Sequence, residues 1–272
     1  MVRYSGGKWN ALLPSPAPGQ LLYDVSALWD ASGEAWAVCM SGKIYHYSYD
    51  LSGWFEVLPQ PTTRQLRRVE AISRDDVWAV GEGYWGEGGS ATVLHFDGTS
   101  WSQFPSTAYG WMEDVSAVAS DDIWGCGNDQ ANSAVLYHYD GSSWSAQRLE
   151  GVQDLWGIHA RASDDVWAVG KGGTVLHYNG NNWANLSGAT SEDLIGVVAP
   201  HPGMVWLVGA NGLIIRGDAA APVVTSVFPS SGVNNESSCE VAITGDDFQD
   251  KPTSVKLIGP AVADVYPLSL TP

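Results

Sequence analysis

Six histidines and thirty acidic side chains are the groups with which this 272-residue chain could do acid–base or metal chemistry. Four of the histidines, His46, His95, His138 and His177, each end an apolar run and precede Tyr or Phe. A metal site or a proton relay would need such residues to converge. Equivalent positions of successive repeats do not converge, so each histidine is expected to bond a turn of its own repeat. His159 stands apart, in a column otherwise filled by Ser26, Glu70, Ser116 and Val198, and is read as a satisfied histidine on an inner strand. Paired carboxylates at 75/76, 121/122 and 164/165 suggest glycoside cleavage, which uses two such groups across the scissile bond. A catalytic pair is needed once, and this one recurs three times; the pairs are read as turn residues. Residues 81–86, Gly-Glu-Gly-Tyr-Trp-Gly, match the G-x-G-x-x-G pattern, but no helical periodicity follows to receive a pyrophosphate and Glu82 would repel it. Asp246, Asp247 and Asp250 are close enough to hint at calcium and are better explained as solvated loop acids. Only Arg67, Arg68 and Arg161 lie near inner strands, too few convergent arginines for a sialic-acid carboxylate. No metal or cofactor is expected, and the chain is read as a non-enzyme.

These residues are carried by a repeat. Ser-Asp-Asp-Val-Trp-Ala-Val-Gly at 163–170 runs into Thr-Val-Leu-His-Tyr-Asn-Gly-Asn-Asn-Trp at 174–183, and close copies begin near Asp75 and Asp121. Weaker copies surround Trp36 and Trp206. The first tryptophan of each unit falls at 36, 78, 124, 167 and 206, and a second at 9, 54, 101, 144 and 183. These ten account for most of the 14 tryptophans, at intervals of 39 to 47 residues, the range of propeller blades and solenoid arrays. Each unit holds four strands. The first alternates, with Val25/Ala27, Val69/Ala71, Val115/Ala117, Ile158/Ala160 and Val197/Ala199 in matching columns, which predicts one buried face. A Ser-Asp-Asp turn, the Val-Trp-Ala-Val-Gly strand, the Val-Leu-His-Tyr strand and an Asp-Gly or Asn-Gly hairpin follow.

A four-stranded meander of this period predicts an all-β fold, a five-bladed β-propeller over residues 1–218. Closure is expected from residues 7–12, an orphan fourth strand, lying along the incomplete last unit at 194–217. Both 2–4 and 214–216 resemble a third strand, so one copy is surplus. Residues 219–222 read as a linker. Residues 223–272 alternate strands with Pro/Gly turns, and Pro-Ser-Ser-Gly at 229–232 precedes Val-Ala-Ile-Thr-Gly-Asp-Asp-Phe at 241–248. That pattern resembles the opening of an IPT/TIG domain and implies a partial immunoglobulin-like β-sandwich. The repeats resemble bacterial propellers of the Asp-box and YCF48-like kind. Their Asp-to-Trp spacing, as in 97–101, is one residue shorter than the Asp-box pattern. The resemblance implies architecture and an extracellular or cell-surface setting.

Net charge of −17, from 13 basic against 30 acidic residues, argues against nucleic-acid partners. No apolar run reaches the ~20 residues of a membrane-spanning helix, and a monomer is expected. Cys39, Cys126 and Cys239 are an odd number in separate regions, which argues against a disulfide framework. Recognition is expected where the repeat breaks down. Loops joining strands two to three and four to one share one face, and there unit two inserts residues 82–89. Tyr84, Trp85, Glu87, Arg67, Tyr109, Trp111 and Trp156 are the candidate ligand contacts, for a protein or glycan partner.

Overall fold

A computed structural model describes residues 2–5, 8–11, 19–28, 33–48, 50–51, 53–83, 90–104, 110–129, 131, 133–218, 223–228 and 242–246. The fold is all-β, with only two single-turn 3-10 segments among the described residues, Lys171–Gly173 and Ala210–Gly212. Four antiparallel meanders each carry four strands in chain order. Sheet one is Leu22–Ala27, Ala35–Cys39, Ile44–Ser48 and Gly53–Glu56; sheet two is Leu66–Ser73, Asp76–Gly81, Thr92–Phe96 and Trp101–Gln103. Sheet three is Trp111–Ala119, Asp122–Asn128, Ala134–Tyr139 and Trp144–Arg148; sheet four is Leu155–Ala162, Asp165–Gly170, Val175–Tyr178 and Trp183–Asn185. A three-stranded sheet, Leu194–His201, Met204–Gly209 and Ile214–Asp218, follows. The chain divides into two units, Met1–Ala199 with Trp206–Ile215, and Pro200–Val205 with Arg216–Pro272. In the second, Val223–Phe228 pairs antiparallel with Ala242–Asp246. Asp247 and Asp250 lie outside the described residues.

The strand at Lys8–Ala11 does not pair as expected. It forms a two-stranded sheet with Val2–Ser5, and no strand of the 194–218 sheet joins it among the described residues. Two residues separate the segments, so their pairing closes a far shorter loop than pairing across the whole chain. Strand pairing thus leaves the five-unit closure without support.

In sheets two to four the strand-one column is covered by the sheet before it in the chain. Trp36, Val38 and Ile44 pack on Leu66 and Val69. Trp78 and Val80 pack on Met112 and Val115, and Trp124 and Cys126 on Leu155 and Ile158. Val25 was expected in the same buried column and is 58% exposed, with no four-stranded sheet before it among the described residues.

First strands lie beside first strands along the row, which leaves backbone N–H groups on their edges to be satisfied. Side chains of the preceding sheet do this. Asp24 and Ser26 accept from the N–H groups of Val69 and Ala71, at 3.0 and 3.1 Å. Asp114 and Ser116 accept from Ile158 and Ala160, at 2.9 and 3.0 Å. Glu70 accepts from Ala117 at 3.4 Å, and His159 has a backbone hydrogen bond with Ala199. The column that holds His159 is thus a row of inter-sheet latches. Ser116→Ala, which strands the buried Ala160 N–H, should lower stability by about 1–2 kcal/mol. A thermal melt within ~1 °C of wild type would remove this role.

Candidate functional site

The repeated histidines and aspartates meet in one construction. In sheet two, Asp76 Oδ1 is 2.9 Å from His95 Nε2 and accepts the Trp78 indole N–H at 2.8 Å. The Trp78 and His95 rings stack with centroids 4.2 Å apart. Sheet four repeats this with Asp165, His177 and Trp167, at 2.9 and 2.7 Å and a stacking distance of 4.1 Å. Sheet three keeps the Asp122–His138 contact at 2.9 Å and the stack on Trp124 at 4.0 Å. In sheet one, Glu34 takes the aspartate's place beside His46 and is also bonded by Arg74. Each histidine serves its own sheet, as the spacing predicted. The two members of each acidic pair differ, however. The second belongs to strand two and contacts the His, and in sheets two and four it also accepts from the Trp indole N–H. The first lies against the hairpin glycine, where a Cβ on Gly98, Gly141 or Gly180 would come within 2.6, 2.8 or 2.9 Å of the Cβ of Asp75, Asp121 or Asp164. All three glycines have φ near +86°, at +85°, +86° and +87°, a region that suits glycine.

A different set of residues carries the non-repeating chemistry. In sheets one to four the first strand skips one residue in its pairing with the second. The breaks fall between Leu22 and Asp24, Leu66 and Arg68, Met112 and Asp114, and Leu155 and Gly157. The skipped residues are Tyr23, Arg67, Glu113 and Trp156. A bulge leaves its extra residue unpaired in the ladder and re-aims its side chain. Four successive sheets therefore present four different side chains from one structural position, an aromatic, a cation, an anion and an aromatic.

Three of these side chains, those of Tyr23, Arg67 and Glu113, touch across sheets. The Arg67 guanidinium lies 5.0 Å from the centre of the Tyr23 ring, and its Nε is 3.5 Å from Glu113 Oε2. One residue on, Arg68 Nε donates to Asp114 Oδ1 at 2.9 Å. Burial pushes the Glu113 carboxyl up, with Arg67 and Arg68 pulling it back and Asp154 adding to the rise. Burial likewise pushes Asp114 up to about 6 against the pull of Arg68 and of the Ile158 and Val115 N–H groups. All four bulge residues keep intermediate exposure, so the row is open to a partner while its charged members are already oriented.

Of the residues expected from sequence, Arg67 and Trp156 belong to this row. Trp111 lies two residues before the Glu113 bulge, half-buried, its carbonyl accepting the Tyr137 hydroxyl at 3.3 Å. Tyr84, Trp85, Glu87 and Tyr109 lie outside the described residues. Tyr23 and Glu113 were missed. The signal was present: counting back two residues from Val25, Val69, Val115 and Ile158 gives Tyr23, Arg67, Glu113 and Trp156, a column with no shared chemistry. Arg161, weighed as an anion ligand, is bonded to Asp165.

No protein-family profile matches the sequence, and no curated protein matches it. Solved structures do. One described as YCF48 bound to D1 peptide is similar with a TM-score of 0.59 at 16% identity, over 79% of this chain and 69% of that one. The WD40 β-propeller domain of Doa1 is similar with a TM-score of 0.58 at 14% identity, over 74% and 66%. YCF48 from Cyanidioschyzon merolae is similar with a TM-score of 0.54 at 15% identity, over 86% and 73%. At such identities the likeness is one of fold, and the four-stranded sheets are propeller blades in form.

Proposed function

We propose that this chain is a non-catalytic propeller module that binds a segment of another protein across the bulge row Tyr23, Arg67, Glu113 and Trp156. The observation that carries this reading is the bulge itself. It recurs in four sheets with the same register, yet each time it holds a different side chain. Selection for the fold alone would favour one residue type at a position that has the same geometry in every repeat. A row of aromatic, cation, anion and aromatic groups matches the mixed chemistry of a polypeptide better than the uniform chemistry of a repeated ligand. The fold neighbour solved with a peptide bound supports the same class of partner. Tyr84, Trp85, Glu87 and Tyr109 are proposed as further ligand contacts, with Trp111 as a half-buried support.

The setting proposed is a secreted or cell-surface protein, with residues 223–272 as an IPT/TIG-like spacer. The antiparallel pair of Val223–Phe228 and Ala242–Asp246 suits the first strands of such a sandwich. Five blades belong to the same proposal, with any ring closed other than by Lys8–Ala11, which pairs with Val2–Ser5.

The test is a screen of the whole chain against immobilised peptides and glycans, repeated with Arg67→Ala and Trp156→Ala. Peptide binding should weaken at least tenfold in each variant, which is ~1.4 kcal/mol. The melting temperature of Arg67→Ala should stay within ~1 °C of wild type, because a partly exposed ion pair contributes little. Glycan binding without peptide binding would move the assignment to a lectin. Hydrolysis of an arrayed glycan would move it to an enzyme.

A further inference from the structure

The aromatic packing between sheets two and three differs from that between sheets three and four at one position. Residues opposite equivalent third-strand positions form a column on the fourth strand, namely Val57, Phe104, Gln147 and Leu186, facing Ile44, Val93, Leu136 and Val175. Three members are apolar. Phe104 fills the space between its own sheet and the next, with its ring 5.2 Å from Trp78 and edge-on to His95 at 6.5 Å and Tyr139 at 5.4 Å. Trp144 completes that enclosure, 5.7 Å from Trp78. The equivalent walls one junction further are Trp124, His138, Tyr178 and Trp183, with Trp124 at 5.0 Å from Tyr178 and 5.9 Å from Trp183. There Gln147 stands where Phe104 stands, and the same walls line a cavity of about 530 Å³.

We infer that this cavity between sheets three and four is a binding slot for an aromatic side chain, a tyrosine, of a partner polypeptide. The geometry argues for a ring. The sibling slot already holds a phenyl group against the same four side-chain types, and edge-on contacts of this kind favour an aromatic occupant over an aliphatic one. The rim argues for a hydroxyl. Ser145, Gln147, Asn181 and Asn182 border the opening and offer neutral donors and acceptors, whereas no carboxylate, lysine or arginine lines it. The volume, within the ~300–1,000 Å³ of ordinary ligand sites, leaves room for the backbone that carries the ring. Nothing in this inference depends on the bulge row, which involves other residues on the inner strands.

N-acetyl-L-tyrosinamide is the probe, titrated into the whole chain while the indole N–H resonances of Trp124 and Trp183 are followed by NMR. Saturable shifts with a Kd of roughly 1 mM are expected for a ligand of this size. N-acetyl-L-leucinamide should bind at least tenfold more weakly. Gln147→Phe, which supplies the missing ring from within, should abolish the shifts and leave the melting temperature equal or higher. If Gln147→Phe does not fold, Gln147→Leu, the residue type of sheet four, should weaken binding at least tenfold. Arg67→Ala should leave the titration unchanged, so the slot and the bulge row fail separately. The inference is overturned if the tyrosine probe does not saturate, if the Gln147 variants bind it as wild type does, or if methyl β-glucoside binds more tightly.

Discussion

Trp78→Ala should lower the stability of the propeller by roughly 3–5 kcal/mol, the range for deleting a large buried aromatic. Trp78 is 1% exposed. It stacks on His95 and donates to Asp76 in its own sheet, and it touches Phe104, Tyr139 and Trp144 at ring distances of 5.2, 4.9 and 5.7 Å. Removing it opens a cavity at a sheet junction and takes one donor from Asp76 together with the stacking partner of His95. For a domain of this size the melting temperature should fall by about 10 °C. Trp206→Ala makes the comparison: at 38% exposure its loss should cost far less. Equal melting temperatures for the two variants would show that the repeated tryptophans are not what joins the sheets.

A second large effect is on pH. Burial raises the Glu70 carboxyl from 4.5 to about 7, opposed by the Ala117 N–H and reinforced by Asp114 and Asp24. A carboxyl that holds its proton more tightly in the folded state stabilises the fold below the unfolded pKa, and this stability is lost as pH rises. The window runs from about 4.5 to about 7, and the ceiling on the effect is about 3 kcal/mol. Asp114, raised from 3.8 to about 6 by burial against Arg68, acts with the same sign. Asp165 acts oppositely. Burial would raise it, but hydrogen bonds with His177, Arg161 and Trp167 outweigh this and hold it at about 2, so its contribution is lost only as pH falls below about 4. The melting temperature should therefore be highest near pH 5 and decline toward pH 8. Glu70→Gln keeps an acceptor for the Ala117 N–H and removes the charge. It should raise the melting temperature at pH 7.5 by several degrees and flatten the decline. A Glu70→Gln profile running parallel to wild type from pH 5 to 8 would assign the decline to other groups.

Both results bear on how far this protein can be read from its residues. The tryptophan spacing, the alternating first strands and the Asp-Gly hairpins were legible because each is a local property of a strand or a turn. So was the role of the histidines, since a residue repeated in every unit must answer a need of the unit. The Asp pairs were only half legible. Sequence placed them at a turn, but the separation of Asp75 against Gly98 from Asp76 under Trp78 depends on how strand two returns beside strand three. Glu70 was placed in a column without a function. Its raised pKa comes from burial between neighbouring sheets, with Asp114 and Asp24 on those sheets adding to the rise.

Sequence by itself determined the repeat, its strands and the negative charge, because hydrophobic period and turn chemistry act over a few residues. Tertiary structure decided three other things. It placed Tyr23 and Glu113 with Arg67 and Trp156, since a bulge shifts register by one residue without altering composition. It emptied the slot beside Gln147, since an absent ring matters only where a second sheet supplies the opposite wall. It also paired Lys8–Ala11 with Val2–Ser5, a choice between a near partner and a far one. Each of these depends on what lies across a sheet or between two sheets, and residues there are tens of positions apart in the chain.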